Sequence, residues 1–157
     1  MKKISVLFVC LGNICRSPAA EAIFIDLIEK KGLKDRFVVD SAGTGSWHIG
    51  KKADSRMRVS AERRGLNILS IARQINTKDF ENFNYILAMD NSNFMNIIDL
   101  KNRNYSSNFS SIKKIQDFRS VFKDEEVPDP YFGGDEGFDH VLDILEDSLS
   151  GFLESIS

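Results

Sequence analysis

Residues 4–22 read ISVLFVCLGNICRSPAAEA, and the order of residue types there leaves few ways to fold. Ile4 to Cys10 is a nearly continuous apolar run, the pattern of a strand covered on both faces of a parallel sheet. Ser17 then suits a helix cap, with Pro18 at the first helical position. Ala20, Ile23, Phe24, Leu27 and Ile28 repeat at helical spacing until Gly32. The stretch is one strand-loop-helix unit, and Gly12 and Asn13 mark the loop between its halves.

The rest of the chain repeats this alternation. A second strand is expected at Phe37 to Ser41, ending in the small residues Ala42-Gly43-Thr44-Gly45, and a helix from about Ser55 to Arg64 stopped by Gly65. Tyr85 to Met89 reads as a third strand, followed by a helix with Phe94, Ile97 and Ile98 on its apolar stripe, and a weaker fourth strand lies near Ile112 to Phe118. Residues 102–111, rich in Asn and Ser, read as a surface loop. Pro128-Asp129-Pro130-Tyr131-Phe132-Gly133-Gly134 is a shaped loop, because its prolines and glycines exclude regular structure. The closing helix carries Phe138, Val141, Leu142, Leu145, Leu149 and Phe152 and needs a sheet face to bury them. The expected fold is α/β: one domain over residues 1–157, an open parallel sheet of about four strands with helices on both faces. Ligands of such sheets bind at the carboxyl ends of the strands, which places the loop after the first strand at the site.

Composition narrows the partners. With 21 basic and 23 acidic residues the net charge is −2, which argues against nucleic acid or an anionic membrane as the main partner and confines any anion site to a local one. The apolar run after Lys2-Lys3 is short, contains Ser5 and has no small-residue cleavage site before Arg16, so a secretory leader is not expected. No stretch approaches the ~18 apolar residues of a membrane span. Two cysteines make no disulfide framework, and a reducing, cytoplasmic setting follows. No metal or other cofactor is expected, since only His48 and His140 are available and neither is spaced as a zinc ligand with the cysteines.

The loop itself is built to hold an anion. Between Cys10 at the end of the strand and Ser17 at the start of the helix, the peptide N–H groups of Leu11, Gly12, Asn13, Ile14 and Cys15 are free to converge, with the positive end of the helix dipole behind them. Gly12 and Asn13 tolerate the unusual backbone angles that wrapping an anion requires. Arg16 adds a planar fork able to grip two oxygens at once. Cys10 lies at the base, where the same donors favour its thiolate. An anion cradle with a nucleophile on its floor suits phosphoryl transfer, while the nucleotide motif G-x-x-x-x-G-K is absent. Cysteine attack on phosphorus needs a proton donor for the departing oxygen. Asp129 between its prolines is the candidate, although an aspartate beside proline is by itself a turn former. Cys15, in the same loop, is either a packing residue or a second thiol placed to capture an oxidised Cys10 as a disulfide.

CLGNICRS at residues 10–17 with DPYFG at 129–133 resembles the low-molecular-weight protein tyrosine phosphatases, and the similarity runs along essentially the whole chain. The resemblance implies that Cys10 is the nucleophile, Arg16 binds the phosphoryl oxygens, Ser17 hydrogen-bonds the cysteine, and Asp129 is general acid and then base. It assigns Asn13 to holding the loop's shape with Ser41 as partner, Asp90 to support, and Trp47 and Tyr131 to the aromatic pocket walls that suit a phenyl ring. Phosphotyrosine proteins and aryl phosphates are the implied substrates, with phosphate and other oxyanions as ligands. This chain departs at Phe132, where many relatives carry a second tyrosine, and at Ser70, where many animal members carry a structural histidine that braces the loop. Arsenate reductases of the same fold use further cysteines, and none follows Cys15. Two alternatives stand beside the tyrosine phosphatase. A phosphoarginine phosphatase would favour a small hydroxylated residue where Leu11 stands, and a non-catalytic phosphotyrosine-binding module would be expected to have lost Cys10 or Asp129.

Overall fold

A computed structural model describes residues 2–104, 108–119, 126–131 and 133–156. Four parallel strands, β1 (Ile4–Cys10), β2 (Phe37–Gly43), β3 (Tyr85–Ala88) and β4 (Ser111–Lys114), form one sheet in the order β2-β1-β3-β4. Five α-helices are described: α1 (Arg16–Lys30), α2 (Ser55–Glu62), the single turn α3 (Asp79–Asn82), α4 (Asn91–Arg103) and α5 (Glu136–Ile156).

The two-residue period of β1 sorts its side chains between two cores. Val6, Phe8 and Cys10 face the layer of α1, α2 and α5, while Leu7 and Val9 face the layer of α3 and α4. On the first side Phe24 of α1 packs edge-on against Phe8 and Phe37, with ring centroids 5.7 and 5.3 Å away, and meets Phe152 of α5 at 5.7 Å. The fully buried rings of Phe8, Phe24 and Phe152 each contribute about 1.5–3 kcal/mol of transfer free energy. On the second side Ile86 and Ala88 of β3 pack with Phe80, Phe83 and Ile97.

Several sequence expectations shift. The second strand runs on to Gly43, pairing Cys10 with Gly43, so the small-residue run belongs to the sheet. The fourth strand stops at Lys114, and Ile115–Phe118 is a 3₁₀ turn that lays Phe118 against Phe152 with centroids 5.2 Å apart. The helix after the second strand ends at Glu62, and Gly65, at φ 78°, closes it as the Leu66 N–H reaches back to the Ala61 carbonyl. Helix α4 runs to Arg103 and so takes the start of the expected 102–111 loop, of which residues 105–107 lie outside the described residues.

Helix α1 starts at Arg16, with Cys15 in the cap position and no side-chain cap, rather than at Pro18 behind a Ser17 cap. The hydroxyl of Ser17 is engaged inside the loop instead. Because β1 pairs with β2 on one edge and β3 on the other, the chain reverses its direction of travel across the sheet at β1. The loops after β1 and β3 therefore diverge from one crevice at the strands' carboxyl ends.

Candidate active site

The loop of residues 10–17 is shaped by where its carbonyls go. Those of Cys10, Leu11 and Ile14 accept from the N–H groups of Thr44, Gly45 and Asp54 at 2.9, 2.9 and 2.8 Å, so they point away from the loop's centre. Of the loop's own N–H groups, that of Asn13 turns inward and donates to Cys10 Sγ at 3.2 Å. Asn13, with φ 57°, is the only non-glycine among the described residues in the left-handed region. Gly12 has no positive φ, contrary to the sequence expectation. A Cβ there would lie 2.9 Å from the His48 ring, which would have to move aside. Gly43 meets the loop from below, where a Cβ would stand 2.7 Å from the Leu11 carbonyl oxygen and 3.1 Å from the Asn13 nitrogen.

Side chains hold that curl. The Asn13 amide oxygen accepts from the Arg73 N–H at 2.9 Å, and its Nδ2 donates to Ser17 Oγ at 2.8 Å and Ser41 Oγ at 3.0 Å. Ser17 Oγ lies 3.0 Å from Cys10 Sγ. All four residues of this chain, Cys10, Asn13, Ser17 and Ser41, are at most 2% exposed, where each unmade hydrogen bond would cost about 1–3 kcal/mol.

Arg16 is buried beside them. Its Nη1 donates to Asp90 Oδ2 at 2.6 Å and to the Val127 carbonyl at 3.1 Å, and its Nη2 lies 3.7 Å from Asp129 Oδ2. Burial works against the guanidinium's charge, but Cys10 and the Asp90 carboxylate outweigh it and hold Arg16 above its ordinary value. Asp90 serves two masters: its other oxygen caps α4 by accepting the Asn93 N–H at 2.7 Å. Cys15 is buried too. Desolvation, followed by the nearby Asp54, Cys10 and Asp129, pushes its thiol far up, so it stays protonated.

Cys10, Leu11, Gly12, Ile14, Cys15, Arg16, Trp47, His48, Asp129 and Tyr131 share one cavity of about 320 Å³. Its walls are Trp47, 68% exposed, and Tyr131, whose ring centroid lies 5.9 Å from that of His48. Asp129 is held at the rim by the Tyr131 N–H, which donates to its Oδ1 at 3.1 Å. Phe132 lies outside the described residues. The structure thus gathers the sequence candidates in one place, with Ser41 and Asp90 supporting from behind.

Four groups escaped the sequence reading. His48, which the sequence offers only as a poorly spaced zinc ligand, lines the cavity next to Trp47. Arg56 pairs with Asp54 at 2.9 Å, donates to the Tyr131 carbonyl at 2.9 Å and so ties the 126–131 segment to α2. Arg73 and Glu21 close the Asn13–Ser41 network from outside: Ser41 Oγ donates to Glu21 Oε1 at 2.5 Å. Glu21 had one signal, its position four residues after Ser17 on the same helical face.

Known proteins resemble this arrangement along nearly the full chain. The family model described as low molecular weight phosphotyrosine protein phosphatase matches residues 5–157. The chain is 43% identical to the low molecular weight phosphotyrosine protein phosphatase of Schizosaccharomyces pombe, covering 99% of each. Among solved structures, a protein tyrosine phosphatase from Entamoeba histolytica superposes with a TM-score of 0.92 at 46% identity, over 98% of this chain and 97% of that one. The Drosophila arginine phosphatase DARP superposes with a TM-score of 0.92 at 37% identity, over 100% and 98%.

Proposed function

Since the chain belongs to the low molecular weight phosphotyrosine protein phosphatase family, we propose that it hydrolyses phosphotyrosine in proteins, and aryl phosphates, through a cysteinyl-phosphate intermediate. The observation that carries this is Cys10 Sγ, which accepts at 3.2 Å from the loop and lies 3.0 Å from Ser17, on the floor of a cavity walled by Trp47 and Tyr131.

The Cys10 thiolate attacks phosphorus as the bond to the phenolic oxygen breaks, and Asp129 gives that oxygen its proton. Water then attacks the phosphorus, Asp129 takes the water's proton, and Cys10 leaves as thiolate with phosphate released. Arg16 and the N–H groups of residues 11–16 neutralise the three non-bridging oxygens throughout, preorganised where the charge sits. Asp90 and the Val127 carbonyl both engage Nη1, so the side of the guanidinium carrying Nη2, 3.7 Å from Asp129, is the one turned to the phosphoryl group. What supports Asp129 in that role is its position 3.7 Å from Arg16, lining the same cavity as Cys10. A reducing cytoplasm suits this chemistry because it keeps Cys10 as a free thiol.

Likeness to DARP favours one other reading, a phosphoarginine phosphatase. Leu11 speaks against it: 40% exposed in the cavity, it sets an apolar side chain where a guanidinium would need polar partners. Turnover of phosphotyrosine, phosphoserine and phosphoarginine peptides with a chelator present separates these. Selective phosphotyrosine cleavage is expected. Preference for phosphoarginine, or serine-selective or metal-dependent turnover, would overturn the proposal.

A further inference from the structure

The segment that carries Asp129 is held on both sides of it, and one of the holding residues has no part in the chemistry above. Ahead of Asp129, the Val127 N–H donates to the Met89 carbonyl at 3.1 Å, and the Val127 carbonyl accepts from Arg16 at 3.1 Å. Pro128 and Pro130, on either side of Asp129, have no N–H to give. The next donor along the chain is the Tyr131 N–H, which reaches Asp129 Oδ1 at 3.1 Å. An N–H can only donate, so when the carboxyl is protonated its proton belongs on Oδ2, the oxygen 3.7 Å from Arg16. That ion pair is longer than a hydrogen bond, and during turnover the Arg16 guanidinium is engaged by the phosphoryl group, so it does not orient the carboxyl by itself.

Tyr131 is held in turn by Arg56. Its carbonyl accepts from Arg56 Nη2 at 2.9 Å, and the guanidinium carbon lies 5.7 Å from its ring centroid. The guanidinium is fixed on two further sides. The two oxygens of Asp54 accept from Nε at 3.1 Å and from Nη2 at 2.9 Å, and the ring centroid of the fully buried Phe138 of α5 lies 4.7 Å away. Asp54 is anchored as the cap of α2, where its Oδ1 accepts from the Arg56 N–H at 2.9 Å. We propose that Arg56 is a positioning residue for the general acid: by holding the Tyr131 backbone against α2, it keeps the Tyr131 N–H on Asp129 Oδ1 and the acid's proton on Oδ2. The inference rests on Asp129 being the acid that protonates the leaving phenol.

The consequence of losing Arg56 is confined by where it sits. Arg56 does not line the cavity that holds Cys10, and the contacts of Cys10 and Arg16 with Ser17, Asn13 and Asp90 do not pass through it. Val127 stays pinned to Met89 and Arg16, so the displacement falls on the residues after Pro128, Asp129 among them. A misplaced acid costs most where the leaving oxygen is most basic and least where that oxygen departs without a proton. Leaving-group basicity is therefore the variable that separates positioning of the acid from a general loss of structure.

The test compares the parent protein with Arg56→Met, which keeps an apolar stem over Phe138 and removes the donors. kcat/KM, which covers attack by Cys10 and departure of the phenol, is measured on aryl phosphates graded from dinitrophenyl to phenyl and on phosphotyrosine. The parent's dependence on leaving-group basicity is expected to be shallow. In Arg56→Met it should steepen, with about a 10-fold loss on phenyl phosphate and phosphotyrosine, a part of the 10²–10⁴ that general acid catalysis supplies, and little loss on the dinitrophenyl ester. Inorganic phosphate should bind as in the parent by calorimetry. Added to Asp129→Asn, Arg56→Met should lower kcat/KM on phenyl phosphate no further. Equal losses along the series, or phosphate binding weakened to match, would place the effect in the cradle and overturn the inference. A parent-like profile, or a further loss on top of Asp129→Asn, overturns it as well. If Arg56→Met fails to fold, Arg56→Gln, too short to span Asp54 and Tyr131, is judged by the same criteria. A parent that turns over no aryl phosphate refutes the phosphatase reading itself, whereas turnover with an unchanged profile in the variant refutes only the positioning role.

Discussion

Asp90 holds two positions with two oxygens, and replacing it divides their effects. Oδ2 accepts from Arg16 at 2.6 Å and Oδ1 accepts from the Asn93 N–H at the start of α4 at 2.7 Å. Asparagine has one acceptor oxygen, so Asp90→Asn can cap the helix or hold Arg16 but not both. Asparagine is a good cap, and its NH₂ group facing Arg16 would be repelled. Arg16, 3% exposed, then keeps only the Val127 carbonyl at 3.1 Å and turns toward Asp129, 3.7 Å away. A hydrogen bond to a charged group is worth about 1.5–3 kcal/mol, and at about 1.4 kcal/mol per decade kcat/KM for phosphotyrosine should fall about 10- to 100-fold.

Stability separates the second role. Asp90→Ser retains a capping oxygen and loses the ion pair, whereas Asp90→Ala loses both. The alanine variant should therefore be less stable than the serine variant by about 1 kcal/mol, with equal loss of activity in the two. The measurements are urea unfolding and steady-state kinetics on one phosphotyrosine peptide. Unchanged kcat/KM in Asp90→Asn, with the fold intact, would show that Arg16 is positioned without Asp90 and refute the reasoning. So would an activity difference between the serine and alanine variants that follows the cap.

With Cys10→Ser, turnover should vanish while vanadate or phosphate still binds by calorimetry, since the cradle is backbone and Arg16; residual turnover would remove Cys10 as nucleophile. Asp129→Asn should slow phosphotyrosine cleavage by about 10²–10⁴ and affect much less an aryl phosphate whose leaving group needs no proton; equal losses would place the acid elsewhere. Gly43→Ala drives a Cβ to 2.7 Å from the Leu11 carbonyl oxygen and 3.1 Å from the Asn13 nitrogen, and since the atoms it meets are backbone it should cost about 1–3 kcal/mol and weaken phosphate binding; a variant with parent-like affinity would show that the loop can shift. Peroxide should oxidise Cys10 to the sulfenic acid, which condenses with the Cys15 thiol to a disulfide and water, so a thiol reductant restores activity in the parent but not in Cys15→Ser. Mass spectrometry finding no Cys10–Cys15 link, or full recovery in Cys15→Ser, would rule that protection out.

What the sequence made legible is what depends on short spacing. The strand-loop-helix unit at residues 4–30 follows from the apolar run and the 3.6-residue period within single elements, whereas the order β2-β1-β3-β4 rests on pairing between strands far apart in the chain. Cys10 and Arg16 share one loop, so their proximity needs no tertiary information. Asp129 is different: nothing in Pro-Asp-Pro distinguishes an acid from a turn former, and only packing of the 126–131 segment against Arg16 and Arg56 sets it at the rim.

Ser17 shows why local rules can assign a residue wrongly. Ser-Pro before an alanine-rich run satisfies every local criterion for a helix cap, yet the helix begins at Arg16 and the hydroxyl turns to Asn13 and Cys10. A cap interaction is worth about 1 kcal/mol, whereas leaving the Asn13 amide and Cys10 unpaired in a buried loop would cost more than that. The larger requirement decides, and it was hidden because its partners Ser41 and Arg73 come from β2 and the loop beyond α2, 28 and 60 residues from Asn13. Glu21 is the case between these two. Its spacing from Ser17 places it on the same side of α1, but a carboxylate among Ala20, Ala22 and Ile23 reads as ordinary helix surface until β2 sets Ser41 against it.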